Sequence, residues 1–599
     1  MDNQKITVKE QIFNLFFLIK ILFKTNKRIF FIRLPMLFLQ TISSILSIWF
    51  MRLILNEIST GADVKKVVLF SGLMAGSALL VNTLSKIVSI FDSREMQRTE
   101  NRLRLFLADT IMNLPYRYAV DPETLNFLEL AKKENSFSTV LSAVTNVLGA
   151  VINALTYATV VLTVNPLILL LIAANSAIDM LLLRKTAKLA IENENEVFPV
   201  YRKLWAQVGI LFKLKFGKEM RINRLQDWTI EKGRKQNDYA LSFEKREAKS
   251  SAELSGLQDL AGTVLNVCVY LILAFLMLFR SLLIGDFTYV LNCTLSLSGS
   301  IKGLISGWND LLNHGLFSRG FKYCFDLAEL HRDDCNCGDE NIMVEDTSIE
   351  FRNVTFTYPY SDSPVLKHIS FKIESGETLS LVGVNGSGKT TLVMLLCRFY
   401  EPDEGEILLG GIPINRIQVE KYHRILGVAF QNSQIFAGTI KENIAYSNDI
   451  KKERIKYSLD ISALFDKISS LPQTYDTVIG RTFDENGTDF SGGEKQKLAI
   501  ARAIVSDPKV MIFDEPTAAL DPIAEHEIIT SLRRAIGGRT AIFISHRLSF
   551  ARTSDKIAVL SGGVICEFGT HSELMEIENG VYRELFTAQA KYYVGINLS

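Results

Sequence analysis

Residues 383–390 read Gly383-Val384-Asn385-Gly386-Ser387-Gly388-Lys389-Thr390. The stretch Thr378–Val382 before them has strand character, and Leu392–Cys397 after them is an apolar helical run. Strand, glycine-rich turn and helix follow in that order. Glycines let successive backbone N–H groups close around phosphate oxygens at a helix N-terminus. Lys389 is placed to neutralise the β- and γ-phosphates, and Thr390 to put its hydroxyl on Mg²⁺. The spacing and its context together predict a nucleoside-triphosphate loop in an α/β domain.

Downstream, Val510-Met511-Ile512-Phe513-Asp514-Glu515 has the pattern of a buried strand ending in two carboxylates. Asp514 suits Mg²⁺ at the strand's end, and Glu515 can accept a proton from an attacking water. Upstream, Ile349–Phe356 alternates as a strand, and the polar, acidic stretch 331–346 reads as a linker. The expected organisation is a domain over 1–330, a linker over 331–346 and the nucleotide domain over 347–599.

The whole chain has 599 residues, 48% hydrophobic and 22% charged, with a mean hydropathy of +0.17. That length exceeds one ordinary core. Residues 1–330 carry 38 Lys+Arg against 28 Asp+Glu, and residues 331–599 carry 28 against 37. A basic apolar part followed by an acidic part suggests a membrane domain joined to a cytoplasmic one. No basic stripe with interleaved aromatics is present, which speaks against a nucleic-acid partner. The seven cysteines form no disulfide framework. Cys335 and Cys337 make a CxC pair without a nearby second pair, so the reading is two linker thiols rather than zinc.

Leu34–Met51, Val67–Ser85 and Leu260–Phe279 carry no charge, and neither does Asn135–Ile178, which is long enough for two spans joined at Asn165-Pro166. A bilayer needs about 20 apolar residues in helix. Six spans are expected, at 29–55, 66–91, 138–163, 166–188, 256–280 and 287–312. The segment 12–23 reads as an amphipathic helix at the interface. Lys and Arg crowd the segments 92–136 and 188–250, which places both in the cytoplasm together with the N-terminus and the nucleotide domain, and both read as helical, extending the spans well into the cytoplasm. Asp179 falls roughly 20 Å along its helix from Pro166, within the hydrocarbon. It is read either as a cavity carboxylate for a cationic group on cargo or as the partner of a nearby Lys or an inter-helix donor.

Between the phosphate loop and the carboxylates lies Phe490-Ser491-Gly492-Gly493-Glu494-Lys495-Gln496. Here the chain resembles the ATP-binding cassette (ABC) transporters. In that family a Ser-Gly-Gly motif grips the γ-phosphate of the nucleotide on the opposite cassette, a role that falls on Ser491, Gly492 and Gly493. The resemblance implies that Tyr358 stacks on adenine and that Gln431 joins Thr390 and Asp514 at Mg²⁺. It further implies that Gly383, Asn385, Gly386, Ser387, Gly388, Lys389, Thr390 and Thr391 hold phosphates, that His546 touches the γ-phosphate beside catalytic Glu515, and that Ala519-Leu520-Asp521 forms the loop after the catalytic strand.

The implied fold is an all-α six-helix transmembrane domain followed by an α/β P-loop cassette, the half-transporter arrangement of type IV exporters. Its coupling helices would fall near 121–130 and 211–220, where Phe216–Arg221 is similar to a family stretch. Two departures stand out: Glu494 replaces the family's Gln, and the stretch 480–487 is longer than in most members. Within the family, Asp514–Ile528, Phe543–Lys556 and the inserted FDENG resemble lantibiotic exporters of the nisin type. The resemblance implies ATP with Mg²⁺, a homodimer or a heterodimer in the plasma membrane of a bacterium, and a peptide cargo, with drugs or lipids as the alternative. A cassette that gates rather than pumps is the other class considered. The first cysteine is Cys268 and the first histidine His314, so no Cys/His peptidase pair precedes the spans, and a cargo leader would be removed elsewhere.

Overall fold

The computed structural model describes residues 8–61, 63–133, 137–164, 166–213, 216–280, 283–331, 338–446, 450–481, 484–517, 522–545 and 550–594. Cys335, Cys337, Asn165, Ala519–Asp521 and His546 therefore lie outside the described residues. The chain divides into two compact units, one of residues 1–111 and 122–326, the other of residues 112–121 and 327–599.

The first unit is helical. It begins with α1 (Val8–Thr25), α2 (Arg28–Thr60) and α3 (Val64–Met112), continues with α5 (Pro122–Lys133), α6 (Phe137–Val164), α7 (Pro166–Val208) and α8 (Gly217–Ile222), and ends with α9 (Leu225–Arg280) and α10 (Ile284–Leu330). The short helix α4 (Tyr116–Ala119) lies in the other unit. Helices α2, α3, α6, α7 and α9 are long and apolar enough to cross a membrane. Each overlaps an expected span. The sixth, α10, also covers its expected span, but Ser296, Ser298, Gly299, Ser300, Lys302 and Gly303 dilute its apolar run. Pro166 opens α7, where its missing N–H costs nothing. With 56 residues, α9 is about 84 Å long, far beyond a bilayer core of about 30 Å.

Leu15, Leu18 and Leu22 of α1 pack on Leu103, Phe137 and Phe321. Phe13, Phe16 and Phe23 on the opposite side are exposed. The contact is close at Gly315, where a Cβ would meet the Gln11 carbonyl oxygen at 2.3 Å. Asn14 also donates to the Gly315 carbonyl at 3.4 Å. Arg33 binds Asp92 through two nitrogens at 2.7 and 3.1 Å and reaches Ser142 Oγ at 3.2 Å, which ties α2, α3 and α6 together.

The second unit contains a four-stranded antiparallel sheet, in order β2 (Leu366–Ile373), β1 (Ile349–Phe356), β4 (Glu404–Leu409) and β5 (Ile412–Pro413). It also contains a six-stranded sheet, in order β12 (Val564–Gly569), β11 (Lys556–Ser561), β3 (Thr378–Gly383), β10 (Thr540–Ile544), β9 (Val510–Asp514) and β6 (Leu426–Ala429). From β11 to β6 every pairing is parallel. All five residues of β9 and of β10 are buried, as expected of parallel strands covered on both faces. One face packs with the first sheet and the helix Lys389–Leu396, the other with helices Gly492–Val505 and Pro522–Ile536. A third cluster, of Ile440, Ile444, Ile455, Leu459, Leu464, Ile468, Phe490 and Leu498, forms the core of a helical lobe.

Candidate nucleotide site

Parallel strands deliver their C-terminal ends to one edge, where ligands of open α/β sheets bind. Here β3 runs into the phosphate loop, β6 leads to Gln431, and β9 ends at Asp514. The register sets Ala429 beside Phe513 and Asp514 beside Ile544. The structure thus brings Lys389, Gln431, Asp514 and Glu515 together at the rim of one sheet.

Within the loop, Gly386 has φ +81° and Gly388 φ +107°, conformations in which a side chain is strained. At Gly388 a Cβ would also lie 2.6 Å from Leu366 Cδ2. Lys389 is buried, and its Nζ donates to the carbonyls of Gly383 at 2.8 Å and Val384 at 3.0 Å. Burial pushes its pKa down, against the carboxylates of Glu515 and Asp514. Asn385 and Thr390 are exposed, Ser387 and Thr391 buried. The half-buried Tyr358 shares a hydrogen bond with Thr391 at 3.0 Å and meets Tyr400 edge to face at 5.3 Å.

Asp514 is 3% exposed. Burial, reinforced by the Glu515 charge, pushes its pKa up to about 6, against Lys389 and a hydrogen bond with Thr390. Among the described residues, Asp514 Oδ1 and Ser387 Oγ are buried without a hydrogen-bond partner. Buried polar atoms left bare are costly, and these two, one acidic and one hydroxyl, suit a metal and a phosphate. The donor set Thr390, Gln431 and Asp514 is all oxygen, as Mg²⁺ requires, so the residues present fit Mg²⁺ and a triphosphate.

Glu515 lies just past β9, and its backbone is left-handed, with φ +49°. For a long side chain that conformation is unfavourable and persists only where neighbours hold it. Three contacts do so. Its N–H donates to Ile544 O at 2.8 Å, its carbonyl accepts from Gln496 Nε2 at 2.5 Å, and its carboxylate accepts from Gln431 Nε2 at 2.6 Å. The sequence did not single out Gln496, and its position on the second turn of the helix after Ser491 was the one available signal.

Ser491 caps that helix. Its Oγ accepts from Glu494 N at 3.3 Å, and Glu494 Oε2 accepts from Ser491 N at 2.8 Å. Ser491 and Gly492 are exposed and Gly493 half-buried.

In the same unit, Tyr116 of α4 lies 4.8 Å from Phe399 and 5.8 Å from Tyr400. Tyr118 stacks on His331 at 4.2 Å, and the Tyr360 hydroxyl donates to Asp121. Asp121, where a coupling helix was expected to begin near 121–130, is the last residue of the stretch 112–121. Phe216–Arg221 largely coincides with α8, beside which Phe216, Met220 and Trp228 line an apolar pocket. In the helical unit, Asp179 is 1% exposed. Its Oδ2 accepts from Asn175 at 3.2 Å and lies 4.0 Å from Lys302 Nζ.

Residues 366–518 match the family model of the ABC transporters. The Escherichia coli (strain K12) ATP-dependent lipid A-core flippase is 37% identical over 313 residues, 52% of this chain and 52% of that protein. The mouse mitochondrial ATP-binding cassette sub-family B member 10 is 34% identical over 384 residues, 63% of this chain and 52% of that protein. The chain thus spans 52% of the length of each of these two relatives. The structure of a bacterial Atm1-family ABC exporter with ATP bound superposes with a TM-score of 0.77 at 25% identity, covering 94% of this chain and 98% of that one. Residues 366–518 thus form an ABC transporter cassette, and the chain has the fold of an ABC exporter.

Proposed function

We propose that this chain is one half of an ATP-driven exporter, with residues 1–330 spanning the membrane, 331–346 as linker and 347–599 as a cytoplasmic cassette. The observation that carries the reading is the convergence of Lys389, Gln431, Asp514 and Glu515 on one sheet edge, with two buried polar atoms, Asp514 Oδ1 and Ser387 Oγ, that a bound metal and phosphate would satisfy. Lys389 and the loop N–H groups bind the phosphates, Tyr358 the base, and Glu515, held by Gln431, takes the proton of the attacking water. Mg²⁺ at Thr390, Gln431 and Asp514 would neutralise charge on the β- and γ-phosphates. His546, by resemblance, touches the γ-phosphate.

One chain has one phosphate loop and one Ser491–Gly493 segment, so two copies would form two shared sites. The homodimer is the simpler assembly, because this chain keeps Glu515 and His546. The test is complementation between a Lys389→Ala chain and a Ser491→Arg chain, purified through two different tags. Each variant alone loses half of both sites. The mixed dimer keeps one whole site and is expected to trap about one nucleotide. Trapping by either variant alone, or none by the mixture, counts against site sharing.

For cargo we propose an amphiphile with a lipid-like apolar part. Of the two relatives named above, only the flippase carries a cargo in its name, and that cargo is a lipid. The similarity of Asp514–Ile528 and Phe543–Lys556 to nisin-type exporters favours a peptide as the second reading. ATPase stimulation in nanodiscs, by a lipid series against a series of cationic peptides, separates the two.

A further inference from the structure

The segment Ser491-Gly492-Gly493 opens a 14-residue helix and presents a partial positive charge, as helix N-termini do. The next residue is a carboxylate. A glutamine at position 494 would close the same capping box without charge, so Glu494 brings a negative charge to a helix end that, on the reading above, must approach a polyphosphate. That charge is answered from another element. Lys467, on the helix Phe465–Ser469, places its Nζ 2.5 Å from Glu494 Oε1 and 5.0 Å from the centre of the Phe490 ring. The placement is built into the core. Leu464 and Ile468, on either side of Lys467, are buried in one cluster with Phe490 and Leu498, on either side of Glu494. Burial pushes the Glu494 carboxyl up, but the Lys467 ammonium and the Ser491 N–H outweigh it and hold the group ionised.

We propose that Lys467 is a positioning residue of the nucleotide site. By neutralising Glu494, it lets the Ser491–Gly493 helix end close on the triphosphate held by a second copy of the chain. The inference rests on the shared-site reading and adds to it a residue outside every nucleotide motif.

The experiment is a double-mutant cycle on the full-length protein, reading ATPase activity against ATP concentration. Lys467→Gln leaves an unpaired carboxylate facing the phosphates and is expected to lower kcat/KM roughly 3- to 30-fold, mainly through KM. Glu494→Gln keeps the cap and removes the charge, so it matches or exceeds the wild type. The double variant stays within about twofold of Glu494→Gln, and Lys467→Arg retains activity. A purely structural ion pair gives a different pattern, with Glu494→Gln falling as far as Lys467→Gln, and that result overturns the proposal. So does an equal loss from Lys467→Gln in both backgrounds. If Lys467→Gln does not accumulate folded, Lys467→Met in the Glu494→Gln background decides: activity near that of Glu494→Gln supports the proposal and a clear further loss refutes it. Lys389→Ala separates the two levels. If it leaves ATPase intact, the nucleotide site itself is wrong. If it abolishes ATPase while the cycle fails, only the role of Lys467 is wrong.

Discussion

The carboxamide of Gln431 donates to the carboxylate of Glu515 at 2.6 Å. Gln431 follows β6 and Glu515 follows β9, adjacent parallel strands, so the sheet itself sets this approach. The contact orients a half-buried carboxylate beside the buried Asp514. Glu515→Gln preserves the shape and removes the base. It is expected to retain ATP and lose turnover by roughly 10²–10⁴-fold, measured as steady-state hydrolysis beside nucleotide retention. Turnover near the wild type would refute the assignment.

Gln496 supports the same residue from behind. Its amide holds the Glu515 carbonyl, while the Ile544 carbonyl holds the Glu515 N–H. Together they stabilise a left-handed backbone that costs about 1–3 kcal/mol unsupported. Gln496→Ala is expected to lower kcat by about tenfold, a loss of roughly 1.4 kcal/mol of transition-state positioning, with KM for ATP little changed. A change confined to KM would mean that Gln496 acts on binding instead.

The Tyr116 ring touches Phe399 and Tyr400, and Tyr400 touches Tyr358. An aromatic chain therefore runs from the proposed base platform to the turn that follows α3. Tyr116→Ala deletes its end without touching the phosphate loop. Basal ATPase is expected to stay within about twofold, and cargo stimulation to fall severalfold, because the coupling free energy between sites is typically a few kcal/mol at most. Equal loss of basal and stimulated rates would show that Tyr116 only stabilises the fold.

The cassette was legible because its chemistry is local. A phosphate loop needs glycines at fixed spacing, a buried parallel strand such as β9 needs an apolar run, and an antiparallel strand such as β1 alternates, so its bounds Ile349–Phe356 are the ones that alternation gave it. The spans were legible as apolar stretches, and the charged segments 92–136 and 188–250 as helical extensions of them, but hydropathy does not mark where such an extension begins, so the start of α9 at Leu225 was not readable. The left-handed turn at Glu515, the Gln496 contact and the Lys467–Glu494 pair were not legible either. Each depends on elements brought together across the domain, and a glutamate or lysine in a polar stretch gives no signal of what it will meet. Asp179 shows the same limit. Pairing with a nearby Lys was one of its two readings, but that the Lys is Lys302, on another helix, was not legible.

Those partners give the last prediction. Asp179 Oδ2 is shared between Asn175 and Lys302, while Oδ1 is buried without a partner among the described residues. A carboxylate this enclosed serves cargo only if the helices part. As it stands, it balances Lys302, whose side chain is 42% exposed. Removing either charge leaves the other uncompensated at membrane depth. Asp179→Asn and Lys302→Met are therefore each expected to lower basal and cargo-stimulated ATPase together. The double variant should lose less than the two single losses combined, with a coupling of about 0.5–1.5 kcal/mol, since one partner is part-exposed. Thermal unfolding in detergent should show the same non-additivity. A different pattern, loss of stimulation alone in Asp179→Asn and no effect in Lys302→Met, would instead assign the carboxylate to a cationic group on cargo.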